Sequence, residues 1–292
     1  MDDVNESKNN LDKEQHPGIK RETEPKTGLR MLNLSQPWGH HMPEWPSTPG
    51  VNVNVKKFHA KDGVYQTEFE GIMHRGTHMD APIHVTENTP HIMDYALWRF
   101  FGTGVAVSIP KSKWEVITPE DLENATPKIR EGDMVFINTG MHHRMADSDD
   151  YFAYSPGIYT DGAQWLVDKK VKLVGYDVQS NDHPMATKLV DHGLGPTHPH
   201  LIEEYKQEFG RDPKEDFPNW ESGHKTLMIG GGIPGIENVG GDLDAVTGKR
   251  CTFMCFPWRW EGGDGCGVRI LAVLDPDQKF RFERGQNLSE ST

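Results

Sequence analysis

Residues 74 to 84 read HRGTHMDAPIH, three histidines and an aspartate within eleven positions that a glycine and a proline interrupt. On a helix His74 and His78 would share a face as i, i+4 neighbours, but Asp80 would lie about 120° away, and Gly76 with Pro82 disfavours a helix further. In an extended chain, by contrast, His74, His78, Asp80 and His84 are all at even positions and point to one side. An extended or looped backbone is therefore expected. Gly76 lets the main chain pass close to a ligand, and Pro82 stiffens the turn that carries His84.

Two imidazoles and one carboxylate converging on a point make a site for a divalent transition metal. Three protein ligands leave a position for water, whose pKa a metal lowers to about 7, and that openness marks a catalytic rather than a structural site. His84 is then free to act as a general base or acid, because imidazole titrates near neutral pH. A lone histidine is more often solvated or hydrogen-bonded in a core. The clustering is what separates this set from the other histidines among the fifteen in the chain.

The remainder of the sequence sets bounds. A length of 292 residues allows one large domain or two small ones. Acidic residues outnumber basic ones, 44 to 31, and the net charge of −13 repels phosphate backbones and anionic lipid surfaces, so nucleic acid is not expected as a partner. No run approaches the roughly 20 apolar residues that cross a bilayer, and the first residues lack the apolar core of a secretory signal. These features predict a soluble cytoplasmic protein with no membrane partner. Cys251, Cys255 and Cys266 form an odd set without a C-x-x-C pair, and in CTFMCF they alternate with Phe253 as small buried hydrophobes would along a strand.

Residues 1–28 are polar and charged and are expected to be a disordered tail, as is the short stretch 286–292. Between them, 29–285 reads as a single mixed α/β domain, since no linker-like segment divides it. YQTEFEGIM, GVAVSIP, GDMVFINTG, VKLVGYDV, KTLMIGG, CTFMCFPW and GVRILAVLD have the length and composition of strands. TPEDLENATP, TDGAQWLVDKK and PHLIEEYKQEFG read as helices, the second with Thr160 as its N-cap. HHMPEWPSTPGVNV is too proline-rich for a helix and is expected as an extended loop, and residues 206–223 read as a polar surface excursion.

The pattern H-x-G-T-H-x-D-x-P-x-H, filled by His74, Gly76, Thr77, His78, Asp80, Pro82 and His84, resembles the signature of the cyclase-like metal-dependent hydrolases, which include bacterial kynurenine formamidase, isatin hydrolase and a dienelactone hydrolase. LSQPWGHHMPEWP, GYDVQSND and FPWRWEGGDGCGVRILAVL extend the likeness over about 32 to 275. The resemblance implies a swivelling β/β/α fold, a homodimer or homotetramer, and a zinc or manganese centre of one or two ions. It makes His74, His78 and Asp80 metal ligands and His84 the catalytic base. Dinuclear members add a later histidine and a glutamate. GIENVGG matches the glutamate at Glu237, and PTHPHLIEE offers His198 or His200, with His198 favoured by its distance from Leu201 and Ile202. The excursion between that histidine and Glu237 departs from the short helix of those members, which leaves one ion or two open.

The implied activity is hydrolysis of an amide or cyclic amide, of arylformamide or isatin-like type, in a small-molecule substrate by metal-activated water. A lactone hydrolase, or a non-catalytic metal- or ligand-binding relic, are the alternatives. Trp38, Trp45 and His200 are candidate substrate-binding residues. Gly230 to Gly235 match G-x-G-x-x-G by letter, but IENVGG is a poor helix start, so a turn presenting Glu237 explains the glycines better than a nucleotide site. Asp177, Ser180 and Asp182 follow an apolar run where sheet-end loops carry function, either holding the metal histidines in place or capping the loop, and His142 and His143 follow another, with a solvated or local hydrogen-bonding role expected.

Overall fold

Thirteen strands form among the described residues of the computed structural model, which are 23–277 apart from 25, 41, 47 and 191–194. In chain order they are β1 (Arg30–Asn33), β2 (Asn52–Lys57), β3 (Gln66–Glu70), β4 (His78–Asp80), β5 (Phe101–Ser108), β6 (Val116–Ile117), β7 (Met134–Asn138), β8 (Gly157–Ile158), β9 (Leu173–Tyr176), β10 (Gly235–Glu237), β11 (Lys249–Met254), β12 (Gly265–Gly267) and β13 (Leu271–Leu274). Nine of them make one sheet in the order β1-β13-β11-β5-β7-β9-β10-β4-β12. Its centre, β5, β7, β9 and β10, is parallel, and both flanks are antiparallel. The protein thus has the mixed α/β fold expected from the sequence.

Parallel strands are covered on both faces, and the central sequences show it. Val105, Val107, Val135 and Ile137 face one core together with Leu122, Ala163 and Leu166 of the flanking helices. Their neighbours Ala106, Met134 and Phe136 face a second core with Leu32, Leu243, Val246 and Phe253. The period-2 alternation therefore assigns each strand residue to one layer or the other. Phe253 and Cys255 are buried in the second core with Cys251 packed against it, and all three cysteines are free thiols.

Three local expectations need correction. KTLMI is no strand: Lys225–Gly230 forms a π-helical turn that continues the short helix Ser222–His224. Periodicity cannot tell a short apolar run in a strand from one in a buried helical turn. Here Leu227 and Met228 are both buried although adjacent, which a one-sided strand would not allow. The segment 206–223 is mostly exposed, as an excursion would be, but Phe217 anchors it in a third core with Leu201, Tyr205, Trp114, Met185 and Leu189. The helix Thr160–Asp168 takes Tyr159, not Thr160, as its N-cap. Thr23 bridges to Arg30 and Gly28 N–H donates to the Glu24 carbonyl, whereas the tail positions 1–22, 25 and 286–292 lie outside the described residues.

β2 and β3 form a separate hairpin whose residues stay largely exposed. No helix among the described residues is long and apolar enough to cross a membrane.

Candidate metal centre and active site

β4 sits between β10 and β12, and this placement builds the site. Within β4 the side chains of His78 and Asp80 project to the same face. Glu237 on β10 pairs with His78, and Gly265 on β12 pairs with Asp80. The missing side chain at Gly265 leaves room for an imidazole. A Cβ there would lie 2.6 Å from His74 Cε1, and His74 occupies that space. Gly76, at φ 54, turns the chain sharply enough to bring His74 back over Asp80.

The four residues of the motif are therefore brought together, but not along one strand. His84 lies on the 3-10 turn Pro82–His84, and its ring stacks on that of His74 with centroids 3.8 Å apart. His74 Nδ1 is 2.7 Å from Asp80 Oδ1, and its Nε2 is 3.0 Å from Asp264 Oδ2. His78 donates from Nδ1 to the Gly76 carbonyl at 2.8 Å, which directs Nε2 into the cluster. That atom is buried without a hydrogen-bond partner, 3.2 Å from Asp80 Oδ1 and 3.4 Å from Glu237 Oε2.

A fifth residue, His224, joins them. Its Nε2 lies 3.2 Å from Glu237 Oε1 and 3.5 Å from Asp80 Oδ2, and its Nδ1 is held by Asp182, which also accepts the Gly223 N–H. Asn181 aligns the two carboxylates, donating from Nδ2 to Asp80 Oδ2 (2.9 Å) and Glu237 Oε1 (3.1 Å), and from its backbone N–H to Glu237 Oε1 (2.7 Å). Donor atoms from His74, His78 and Asp80 fall within 4.8 Å of one another, as do those from Asp80, His224 and Glu237.

His198, expected as the later histidine, does not reach this cluster. Its Nε2 is 3.3 Å from Asp149 Oδ1, at the approach to the helix His200–Phe209. His200, the other candidate, is exposed on that helix. His224, and not His198, lies within reach of Asp80 and Glu237. The available signal was its position directly before the apolar run that leads into the glycines and Glu237. Asn181 and Asp264 also went unrecognised, since single polar residues in loops carry no spacing signal. Asp182 supports a histidine, whereas Asp177 receives Thr139, Gly140 and His142 away from the five-residue cluster.

The electrostatics ask for a cation. Burial opposes charge on His74, yet its hydrogen bonds to Asp264 and Asp80 carry its pKa up to about 10. His78 and His224 are raised as well, against burial, chiefly by Asp80 and Asp182 respectively. Asp80 is held well below the carboxylate range against burial, first by His78. Protons on imidazoles thus balance the buried carboxylates, and a divalent ion is the ordinary replacement for such protons. The unpartnered His78 Nε2, two carboxylates and two further imidazoles form a donor set that fits zinc or manganese. His84 behaves oppositely. Burial, with the charge on His74, brings its pKa down to about 3, so it stays neutral.

The cluster opens onto a cavity of about 200 Å³ lined by Trp45, Thr48, Ile72, His84, Trp220 and Glu221. Trp45 forms part of the wall of this cavity. Trp38 instead lines a neighbouring groove of about 680 Å³ with Phe69, Met73 and Trp258, which meets the cavity at Ile72. Buried Arg75 ties the covering loop down, with Nη1 3.2 Å from Glu44 Oε1 and Nη2 donating to Thr48 Oγ1 at 3.1 Å.

Comparison with known proteins agrees with this architecture. The model of the Cyclase family, described as "Putative cyclase", matches residues 32–183. Cyclase-like protein 1 of Arabidopsis thaliana is 26% identical over 257 residues, covering 84% of this chain and 86% of its own. Kynurenine formamidase of Bacillus cereus is 25% identical over 152 residues, 52% of this chain and 69% of its own. Among solved structures, isatin hydrolase A from Ralstonia solanacearum superimposes with a TM-score of 0.66 at 19% identity, covering 84% of this chain and 92% of its own, and so shares the fold. The nine-stranded sheet, the motif seated on β4 and the family match over more than half the chain lead to one conclusion: this protein belongs to the Cyclase family.

Proposed function

We propose that the protein is a metal-dependent hydrolase that opens an amide or cyclic amide bond, of arylformamide or isatin-like type, in a small molecule. The observation that carries this reading is the convergence of His78 Nε2, unpartnered and buried, with the carboxylates of Asp80 and Glu237 beside a neutral imidazole at the cavity wall. The similarity to kynurenine formamidases supports the choice of bond.

His74, His78, Asp80, His224 and Glu237 would hold the metal, and Asp80, common to both donor triplets, allows one ion or two. A divalent ion there supplies Lewis-acid polarisation of a carbonyl and acidification of a water. His84, uncharged and stacked at the mouth of the cluster, takes the proton from the attacking water and passes it to the departing nitrogen. Asp182 holds His224 and Asn181 holds both carboxylates, so the donors keep their directions during turnover. Trp45, Ile72 and Trp220 provide flat apolar walls, suited to an aromatic substrate and able to limit bulk water.

The same reading takes the protein as a homodimer or homotetramer. The exposed apolar side chains of Phe69, Trp38 and Trp258, beside the largely exposed β2–β3 hairpin, support it, and sedimentation equilibrium tests it.

The deciding experiment loads the purified protein with Zn²⁺ or Mn²⁺ and challenges it with formanilides, isatin-like cyclic amides and enol lactones. Hydrolysis of an amide or cyclic amide is expected, with His84→Ala retaining metal and losing most turnover. A loaded protein inert toward every amide would remove the proposal.

A further inference from the structure

A second cluster of ligating side chains lies away from the five residues described above, at the end of β7. His142 and His143 stand on the turn Met141–Arg144, and Asp244 approaches from the short helix Leu243–Val246, about a hundred residues further on. His142 is buried, its side chain only 5% exposed, and its Nδ1 lies 2.8 Å from Asp177 Oδ2. The Asp177 carboxylate also accepts from Thr139 N–H, Thr139 Oγ1, Gly140 N–H and His142 N–H, so it is an acceptor throughout and His142 Nδ1 must carry the hydrogen. The Nε2 of His142 is then a lone pair in the neutral ring and an N–H in the imidazolium, the form that Asp177 and Asp244 favour against burial. It is buried, has no hydrogen-bond partner, and faces Asp244 Oδ1 at 3.3 Å.

Across that distance the carboxylate and the ring nitrogen need a positive charge between them, which either a proton or a metal ion supplies. The other Asp244 oxygen lies 3.0 Å from His143 Nε2, and Asn138 Nδ2 donates to Asp244 Oδ1 at 3.0 Å, which fixes the carboxylate. One donor atom from each of His142, His143 and Asp244 falls within 4.8 Å of the others.

We propose that His142, His143 and Asp244 form a second divalent-metal site, of the kind that takes Zn²⁺, Ni²⁺ or Cu²⁺, separate from the candidate catalytic centre. Two imidazole nitrogens and one carboxylate oxygen suit borderline ions, and the pair Asp177–His142 is the carboxylate–histidine arrangement that orients an imidazole toward a metal. Bound there, the ion cross-links the turn after β7 to the Leu243–Val246 helix, and its remaining positions face solvent, since the His143 and Asp244 side chains are 62% and 59% exposed.

The test titrates chelator-stripped, full-length protein with Zn²⁺ alone and counts bound ions by equilibrium dialysis in the wild type, His143→Ala, Asp244→Asn, His78→Ala and the His78→Ala/His143→Ala double variant. His143→Ala and Asp244→Asn are each expected to bind one ion fewer than the wild type, or to bind it at least about tenfold more weakly. His78→Ala keeps this ion, and the double variant loses it. Cu²⁺ added to His78→Ala should show nitrogen hyperfine splitting from two imidazoles, reduced in the double variant. His143 is exposed, so its replacement leaves the fold intact. Equal zinc stoichiometry and affinity in the wild type and His143→Ala would overturn the proposal and leave a protonated His142–Asp244 pair in its place.

Discussion

Gly265→Ala places one methyl group against the metal cluster. The new Cβ would lie 2.6 Å from His74 Cε1, 3.0 Å from its Nε2 and 3.1 Å from the Met79 carbonyl oxygen. Carbon atoms in ordinary contact sit about 3.5–4.0 Å apart, so the ring must retreat by roughly 1 Å. It has little freedom to do so, because Asp80 and Asp264 hold its two nitrogens and His84 stacks on its face. Retreat breaks at least one charge-assisted hydrogen bond, worth about 1.5–3 kcal/mol, and moves a ligand nitrogen off its direction. A loss of about 10–100-fold in metal affinity follows. Gly267→Ala is the control, since it sits two residues along the same strand and its Cβ would meet nothing within 4 Å. The assay is competition between a chromophoric chelator and the protein for Zn²⁺, with circular dichroism confirming that both variants fold. Equal affinities for Gly265→Ala and Gly267→Ala would refute the placement of His74 among the ligands.

Other consequences can be measured as readily. Asp182→Asn weakens the buried contact that fixes His224 and is expected to lower metal affinity about 10–100-fold, read by the same competition, and to cost about 1.5–3 kcal/mol of stability. Arg75→Met removes the ion pair to Glu44, which is partly exposed and can hydrate, and frees the loop bearing Trp45 and Thr48, costing about 1–3 kcal/mol of stability in urea unfolding. His183 accepts the Met185 N–H at Nδ1, has its Nε2 against the Trp114 carbonyl and stacks on Phe217, and burial brings its pKa down from 6.5 to about 4. The native ring stays neutral while the unfolded chain takes up a proton below pH 6.5, so this residue's stabilisation is full above that pH and lost as pH falls toward 4. The shift corresponds to about 3 kcal/mol. The stability difference between wild type and His183→Gln should shrink by that amount from pH 7 to 4, and a constant difference would contradict the assignment.

The sequence displayed the centre unevenly, and the reason is physical. His74, His78, Asp80 and His84 are neighbours in the chain, so their spacing alone narrows the chemistry. His224 reaches the same point only because the third core, built on Tyr205, Phe217 and Trp114, folds residues 201–217 back and returns the chain beside Asp182. His198 and His200 had a helix-like setting that matched expectation locally, but His198, before the helix, faces Asp149, and His200, its first residue, is exposed. Strands with clear two-sided burial, such as MVFIN, were legible, whereas KTLMI was not, because consecutive buried residues fit a tight turn as well as a strand. The groove at Trp38 and Trp258 depends on a contact between β3 and residues near β12 that no local pattern records.

The most direct measurement is anomalous diffraction at the metal absorption edge from crystals of protein loaded with Zn²⁺ or Mn²⁺. The account predicts density within bonding distance of His78 Nε2, with oxygens of Asp80 and Glu237 and a nitrogen of His224 around the same site or its immediate neighbour. A fully loaded protein with no anomalous peak among those four side chains would contradict it.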